Sequence, residues 1–403
     1  MKTNTPRLLA LGTALLLAPL TTTLAQSAWE TTDVLANYAG RAVATDSSGN
    51  FISLALDGST NAGPVSTAVS LSTDSGLTWQ TVGSIPGFAL KLTVAPDDTL
   101  YASGNRSATV SGKAFVWFSQ DHGATWAVSD PWAGQTNALM AMDIAAGNSG
   151  AVYVCGICFI PTTTWIVRQG VFNSSGDITW TTVDSSINGG PNSIAVRPGP
   201  AGQLDEIVVC GSASSHWTIR RSANGGATWT TVEASSQGTA YSVAVGPNGE
   251  IYVDGASSRN IVTATNVTTA IVHHQTVVTT NYTTTSEFGW LVQKSVDAGA
   301  NWTSVDFAVN GRPAYARSLV ADAFGGVFAV GYLTTTPTTW LVRGSTDGGA
   351  TWVTTDTFLP TGYTSAQAWG IASDAVGNIC VVGDVENGTP SADLALIRRL
   401  AAQ

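Results

Sequence analysis

Two short apolar runs joined by a Gly, Asp, Asn or Pro turn recur seven times along this chain. RAVATDSSGNFISLALDG begins at 41, LKLTVAPDDTLYASG at 90, MDIAAGNSGAVYVCG at 142 and NSIAVRPGPAGQLDEIVVCG at 192. YSVAVGPNGEIYVDG follows at 241, RSLVADAFGGVFAVG at 317 and WGIASDAVGNICVVG at 369. Each copy predicts a β-hairpin, because β-branched runs that flank turn residues favour antiparallel pairing. Both runs are apolar on both faces, as expected of strands sandwiched between neighbouring sheets.

A second phrase repeats out of phase with the first. STDSGLTWQTV stands at 72–82, SQDHGATWAVS at 119–129, SANGGATWTTV at 222–232, SVDAGANWTSV at 295–305 and STDGGATWVTT at 345–355. A degenerate copy, NSSGDITWTTV, occupies 173–183, with Ser175 at the Asp position. The tryptophans of the repeat are Trp29, Trp79, Trp126, Trp180, Trp229, Trp302 and Trp352, at gaps of 50, 47, 54, 49, 73 and 50 residues. A period near 50 with four predicted strands per unit is the signature of a β-propeller blade. The expected fold is therefore all-β, a seven-bladed β-propeller of four-stranded blades spanning 26–403.

The seventh unit ends after its third strand. Trp29-Glu-Thr-Thr-Asp33 echoes Trp352-Val-Thr-Thr-Asp356, so the spacing predicts that 28–35 supplies the missing fourth strand against 393–400 and closes the ring. Closure removes an open sheet edge. In the S-x-D-x-G-x-T-W phrase the Asp is expected to accept backbone N–H bonds one or two residues on. The Gly supplies positive φ, and the Trp packs between sheets.

Composition adds a setting. Residues 1–25 carry Lys2 and Arg7 and then LLALGTALLLAPL, with Thr23-Leu24-Ala25 before Gln26, which reads as a cleavable export signal. Without it the chain keeps 15 basic and 27 acidic side chains, and a secreted or periplasmic location is expected. An acidic surface with 11% charged residues lacks the Lys/Arg clusters that nucleic acid or anionic membrane require. Neither partner is expected, nor is membrane insertion. The four cysteines, Cys155, Cys158, Cys210 and Cys380, include one CxxC without a partner pair. They are read as buried thiols or one local disulfide rather than a zinc site.

The S-x-D-x-G-x-T-W phrase resembles the Asp-box, or bacterial neuraminidase repeat, of sialidases and other propellers, and the resemblance covers nearly the whole exported chain. It implies that Asp74, Asp121, Asn224, Asp297 and Asp347 are structural turn residues on the face away from any active site. One carboxylate per turn is too few for calcium, so no metal and no cofactor is expected.

Ligand binding is then expected at the opposite mouth of the central channel. Aligning the first strands places one ring there: Arg41, Leu90, Met142, Asn192, Tyr241, Arg317 and Trp369. Arg41, Asn192, Tyr241, Arg317 and Trp369 are the candidate ligand-binding residues. The arginines could clamp a carboxylate while the aromatic rings stack on a sugar. A glycan or protein ligand is the expected partner. Sialidase chemistry proper uses three arginines, a Tyr nucleophile with a Glu partner and an Asp. Arg41 is the nearest counterpart of the family's first Arg, in Tyr38-Ala-Gly-Arg41, but the Ile-Pro that follows it in the family is absent. Arg317 and Arg312 could complete the set. Hydrolysis or lyase chemistry on an acidic glycan is the alternative reading. Its candidate carboxyls are Asp130, Asp184, Asp306, Asp384 and Glu386, and nothing in the sequence pairs two of them. His122 falls in a repeat turn; His216, His273 and His274 fall between second and third strands.

The long gap lies in the fifth unit, where 258–287 is rich in Thr and Val with partial alternation, so it predicts a long β-hairpin on the ligand face. Trp165, Trp217, Trp290 and Trp340 each open a third strand and are read as packing residues.

Overall fold

The structure, a computed structural model, describes residues 29–402 apart from 58–65, 106–113, 133–138, 148–149, 160–162, 175, 186–187, 198–203, 234–236, 273–274, 309–313 and 389–392. The predicted leader, Ser175, Arg312, His273 and His274 lie outside the described residues.

Among the described residues, twenty-eight strands form seven four-stranded antiparallel sheets. Blade 1 is β2 (Tyr38–Thr45), β3 (Phe51–Asp57), β4 (Thr67–Ser72) and β5 (Gln80–Ile85), and blades 2 to 6 repeat this order. Blade 7 is β26 (Ser365–Ser373), β27 (Ile379–Glu386), β28 (Leu394–Leu400) and β1 (Glu30–Ala36). The chain's first strand is thus its last blade's outer strand, running from Glu30 opposite Arg399 to Ala36 opposite Leu394. The seam is tied by charge as well as by backbone bonds. Arg399 bonds Glu30 at 2.9 Å, and Arg398 bonds Thr31 at 3.1 Å.

The core is a set of layers between blades. One cluster joins Val330, Trp340 and Val342 of blade 6 to Ile379, Val381 and Leu396 of blade 7. Two apolar faces packed together explain why second strands carry no polar alternation. Trp165, Trp217, Trp290 and Trp340 are fully buried in these layers, as the packing reading expects. All four cysteines are buried free thiols.

The S-x-D-x-G-x-T-W turns share one hydrogen-bond pattern. In 345–352, Ser345 Oγ donates to Asp347 Oδ1 (2.7 Å) and accepts from Gly349 N–H (2.8 Å). Asp347 also accepts from the N–H (2.8 Å) and hydroxyl (2.6 Å) of Thr351. The carboxylate therefore reaches four residues on, farther than the one or two expected, because it bridges the base of a turn instead of capping its next peptide. Asp74, Asp121 and Asp297 do the same, and Asn224 accepts from Thr228 N–H at 2.9 Å. The motif Gly has φ between 82° and 92° in all five copies. Trp79, Trp126, Trp229, Trp302 and Trp352 donate back to that Gly carbonyl at 3.0–3.2 Å.

A second device locks successive blades. Arg220, Arg343 and Arg398, each on a third strand, fork onto Asp184, Asp306 and Asp356 at the end of the preceding blade's fourth strand. These bidentate pairs are buried or nearly so and have the geometry that suits guanidinium to carboxylate.

In blade 5 the second and third strands, β19 (Ile251–Val272) and β20 (Gln275–Ser295), stay paired from Ile251–Ser295 out to Val272–Gln275. The predicted insertion is thus a continuous ribbon, about 50 Å long beyond Ser257 at strand rise. Its neighbours stop early: β18 (Gly238–Val245) pairs no farther than Ser257, and β21 (Thr303–Ala308) reaches only Trp290.

Candidate ligand-binding site at the channel mouth

The seven first strands ring a central channel of about 400 Å³. Each of them carries a β-bulge at the same level. The register slips between Gly40 and Ala42, Ala89 and Lys91, Ala141 and Asp143, and Pro191 and Ser193. It slips again between Ala240 and Ser242, Ala316 and Ser318, and Ala368 and Gly370. The extra residue is in turn Arg41, Leu90, Met142, Asn192, Tyr241, Arg317 and Trp369, which are the seven ring residues aligned from the sequence. A bulge leaves one residue outside the ladder and re-aims its side chain. That is how one residue per blade is free to vary while the sheet around it is held constant.

The ring is one-sided. Blades 5, 6, 7 and 1 bring four of their residues together; blades 2 and 3 contribute Leu90 and Met142. Asn192 of blade 4 donates its amide to the Ala240 carbonyl at 2.7 Å, so it ties blade 4 to blade 5 and stands apart from the cluster.

Arg317 is the centre of the cluster. Its guanidinium carbon lies 4.8 Å from the Trp369 ring, 5.2 Å from both Tyr241 and Tyr332, and 5.7 Å from Tyr315. One of its nitrogens donates to Tyr332 Oη at 2.7 Å, and its buried Nε has no partner. It forms no ion pair with a described residue. The rings form a chain of their own: Tyr241–Tyr315 at 6.3 Å, Tyr315–Tyr332 at 5.6 Å and Tyr332–Trp369 at 6.1 Å. Phe288, on β20 at the base of the ribbon, adds a further ring 6.2 Å from Tyr315. Cation–π attraction favours a guanidinium among ring faces, but it leaves in-plane N–H donors unspent.

Arg41 is differently placed. Its guanidinium also lies 4.8 Å from Trp369, yet it is paired to Asp384 at 3.3 Å. Trp369 Nε1 donates to the same carboxyl oxygen. Asp384 is almost fully buried, and burial pushes its carboxyl up to about 6 against the opposing pull of Arg41 and the Trp369 hydrogen bond. Glu386, two residues on along β27, raises it further. Asp384 thus holds Arg41 and Trp369 in place, and Arg317 is the mouth arginine that forms no ion pair with a described residue.

The other candidate carboxyls are spent elsewhere. Asp184 and Asp306 serve the blade-locking arginines, and Asp130 accepts from Trp132 N–H at 2.9 Å. Tyr315, Tyr332 and Phe288 escaped the sequence reading. Tyr315 lies two residues before Arg317 on the same strand, and Tyr332 is its direct cross-strand partner, so a pairing of first and second strands residue by residue could have found both. Among the described residues no group of three or more His, Cys, Asp or Glu is arranged to hold a metal.

No family model matches this chain, and no curated protein matches it. Solved propellers do. A structure described as YCF48 bound to D1 peptide is 12% identical, with a TM-score of 0.54 over 93% of this chain and 95% of that one. The GH74 xyloglucanase from Xanthomonas campestris is 13% identical, with a TM-score of 0.54 over 91% of this chain; this chain spans 55% of it. A sialidase described as Hadza microbial is 13% identical over 89% of this chain and 65% of its own, with a TM-score of 0.42. At such identities the likeness is one of fold.

Proposed function

We propose that this chain is an exported binding protein whose channel mouth holds a carboxylate-bearing glycan. The observation that carries this reading is Arg317: a guanidinium set among four aromatic rings, with a buried unpartnered Nε and no ion pair to a described carboxylate. A sugar acid fits both halves of that arrangement, its carboxylate on the guanidinium edge and its apolar ring face on an aromatic side chain. Tyr241 and Trp369 supply the stacking faces, while Arg41, fixed by Asp384, adds positive potential without being the primary clamp. Under this reading the repeat turns are Asp-boxes in the sense of the sialidase repeat, and their carboxylates have no part in binding. The apolar leader at 8–20 supports export.

Binding to an array of glucuronate- and sialate-terminated oligosaccharides, with neutral counterparts and carboxyl-terminal peptides alongside, tests the proposal. Retention of acidic glycans over neutral ones is the expected result. Retention of the peptides alone would transfer the site to a protein partner.

A second reading, cleavage of the bound glycan, has one observation in its favour. Asp384 sits at the mouth with its carboxyl raised to about 6, and Glu386 follows it on the same strand. Glycoside hydrolysis uses such a pair, one carboxyl protonated and one ionised. Turnover of an acidic oligosaccharide that vanishes in Asp384→Asn would establish it; binding without turnover leaves the first reading in place.

A further inference from the structure

One residue past each bulge the channel wall becomes polar on part of its circumference. Lys91, Asp143, Ser193, Ser242 and Ser318 line it there, in blades 2 to 6. Three of them form a relay between blades. Asp143 Oδ2 accepts from Ser193 Oγ at 2.7 Å and Ile194 N–H at 3.1 Å, and Oδ1 accepts from Ile144 N–H at 2.9 Å. Ser193 Oγ accepts in turn from Val243 N–H, and Ser242 Oγ from Leu319 N–H.

Lys91 is left out of this relay. It is partly buried in the channel wall and forms no hydrogen bond or ion pair with a described residue. Two acids lie near enough to bear on its surroundings, and neither serves as its counter-ion. Asp143 is already engaged by three donors. Asp254, on β19, is fully buried, and burial drives it well towards the neutral acid, against the pulls of Lys91 and the Ser242 backbone N–H. An ammonium in a confined space without a counter-charge is costly. Across a ring of seven, blade 2 faces blades 5 and 6, so Lys91 lines the channel wall opposite Ser242 and Ser318. The hydroxyl protons of these two serines are donated to no described residue.

We propose that the channel below the mouth is a second binding site, for a small carboxylate, with one oxygen on the Lys91 ammonium and the other on the Ser242 and Ser318 hydroxyls. A channel of about 400 Å³ has room for such an ion, since ligand pockets start near this size. The site is independent of the mouth: it uses different side chains, one layer deeper, and needs no glycan.

Thermal unfolding in sodium acetate, with ionic strength held constant by sodium chloride, tests it on the wild type, Lys91→Met and Arg317→Met. Acetate raises the melting temperature of the wild type and of Arg317→Met by about 1–3 °C at saturation, and leaves Lys91→Met unmoved. In chloride alone Lys91→Met melts above the wild type, because the uncompensated charge is gone. Ser318→Ala, which leaves the lysine in place, weakens acetate about fivefold, the worth of one ordinary hydrogen bond. An undiminished acetate effect in Lys91→Met and Ser318→Ala overturns the proposal. So does a wild type that acetate fails to stabilise beyond chloride. Loss of the effect in Arg317→Met alone would assign the ion to the mouth instead and overturn it as well.

Discussion

The two faces of the disc are built from the same seven units and treat their carboxylates in opposite ways. On the turn face, the donors of each S-x-D-x-G-x-T-W phrase surround an exposed carboxylate. The Thr125 and Thr351 hydroxyls, followed by their N–H groups, hold Asp121 and Asp347 at about 2. On the mouth face Asp384 has lost its water and is pushed up to about 6, with an arginine and an indole as partial compensation. The first arrangement is repeated five times with one substitution, Asn224. The second, a buried carboxyl held by an arginine and an indole, occurs once among the described residues. Repetition on one face marks a device that every blade needs to turn its chain. Non-repetition on the other marks the place where the blades are free to differ, because a bulge takes one residue per inner strand out of the ladder.

The two faces stay distinct only while the ring is closed. Deleting 26–36, which removes β1, is the largest disruption: it strips the outer strand from blade 7 and leaves Arg398 and Arg399 without Thr31 and Glu30. Loss of a single cooperative melting transition in calorimetry is the expected outcome, and an unchanged melt would break the closure account.

A crossed pair of variants sharpens the contrast between faces. Asp347→Ala leaves the Thr351 N–H and two hydroxyls without their acceptor, and should cost about 0.5–1.5 kcal/mol of stability, because water reaches the exposed Thr351 donors, with glycan affinity unchanged. Arg317→Met should do the reverse, weakening binding of an acidic glycan at least about tenfold, as expected when a charge-assisted contact is lost. Denaturant melts and binding isotherms on both proteins check the crossing.

The same contrast sets the pH profile. The turn carboxylates have folded values below their ordinary 3.8, so the stability they contribute is present above about pH 4 and is lost as pH falls towards 2. Asp384 runs the other way. Its folded value of about 6 lies above the ordinary 3.8, so the folded state holds the proton more tightly, and stability declines as pH rises from about 4 to 6. Asp384→Asn should reduce the second slope, leaving the share that buried Asp254 contributes, and keep the first, as followed by melting temperature across pH 3–7.

The smallest effect concerns the residue before the motif glycine. Ala298 sits at φ 59°, where a side chain is strained and glycine is not. Ala298→Gly relieves that strain but adds freedom to the unfolded chain, so a net gain of about 0.5 kcal/mol or less is expected from chemical denaturation.

Most of the fold was legible because each blade repeats its own instructions. Fifty-residue spacing gave the blades, and the Trp29-Glu-Thr-Thr-Asp33 echo gave the seam. Aligning the first strands also selected the seven bulge residues, although nothing in the sequence announced a bulge; the alignment worked because the ladder slips at one level in every blade. What stayed hidden depends on contacts between units. The pairing of Asp184 with Arg220 spans 36 residues and that of Asp306 with Arg343 spans 37, and one-dimensional reading left both acids as candidates for catalysis. Arg41 was grouped with Arg317 because both are ring residues. Only the approach of Asp384 from the neighbouring strand separates the arginine that is already paired from the one that is not.

That separation is most directly tested by titrating a glucuronate-terminated oligosaccharide into the wild type and Arg317→Met, with the melting temperature of each recorded beside the isotherm. Saturable binding to the wild type, weakened at least about tenfold in a variant that melts normally, is the result this account predicts. Equal affinity in the two proteins, or no binding to the wild type, would contradict it.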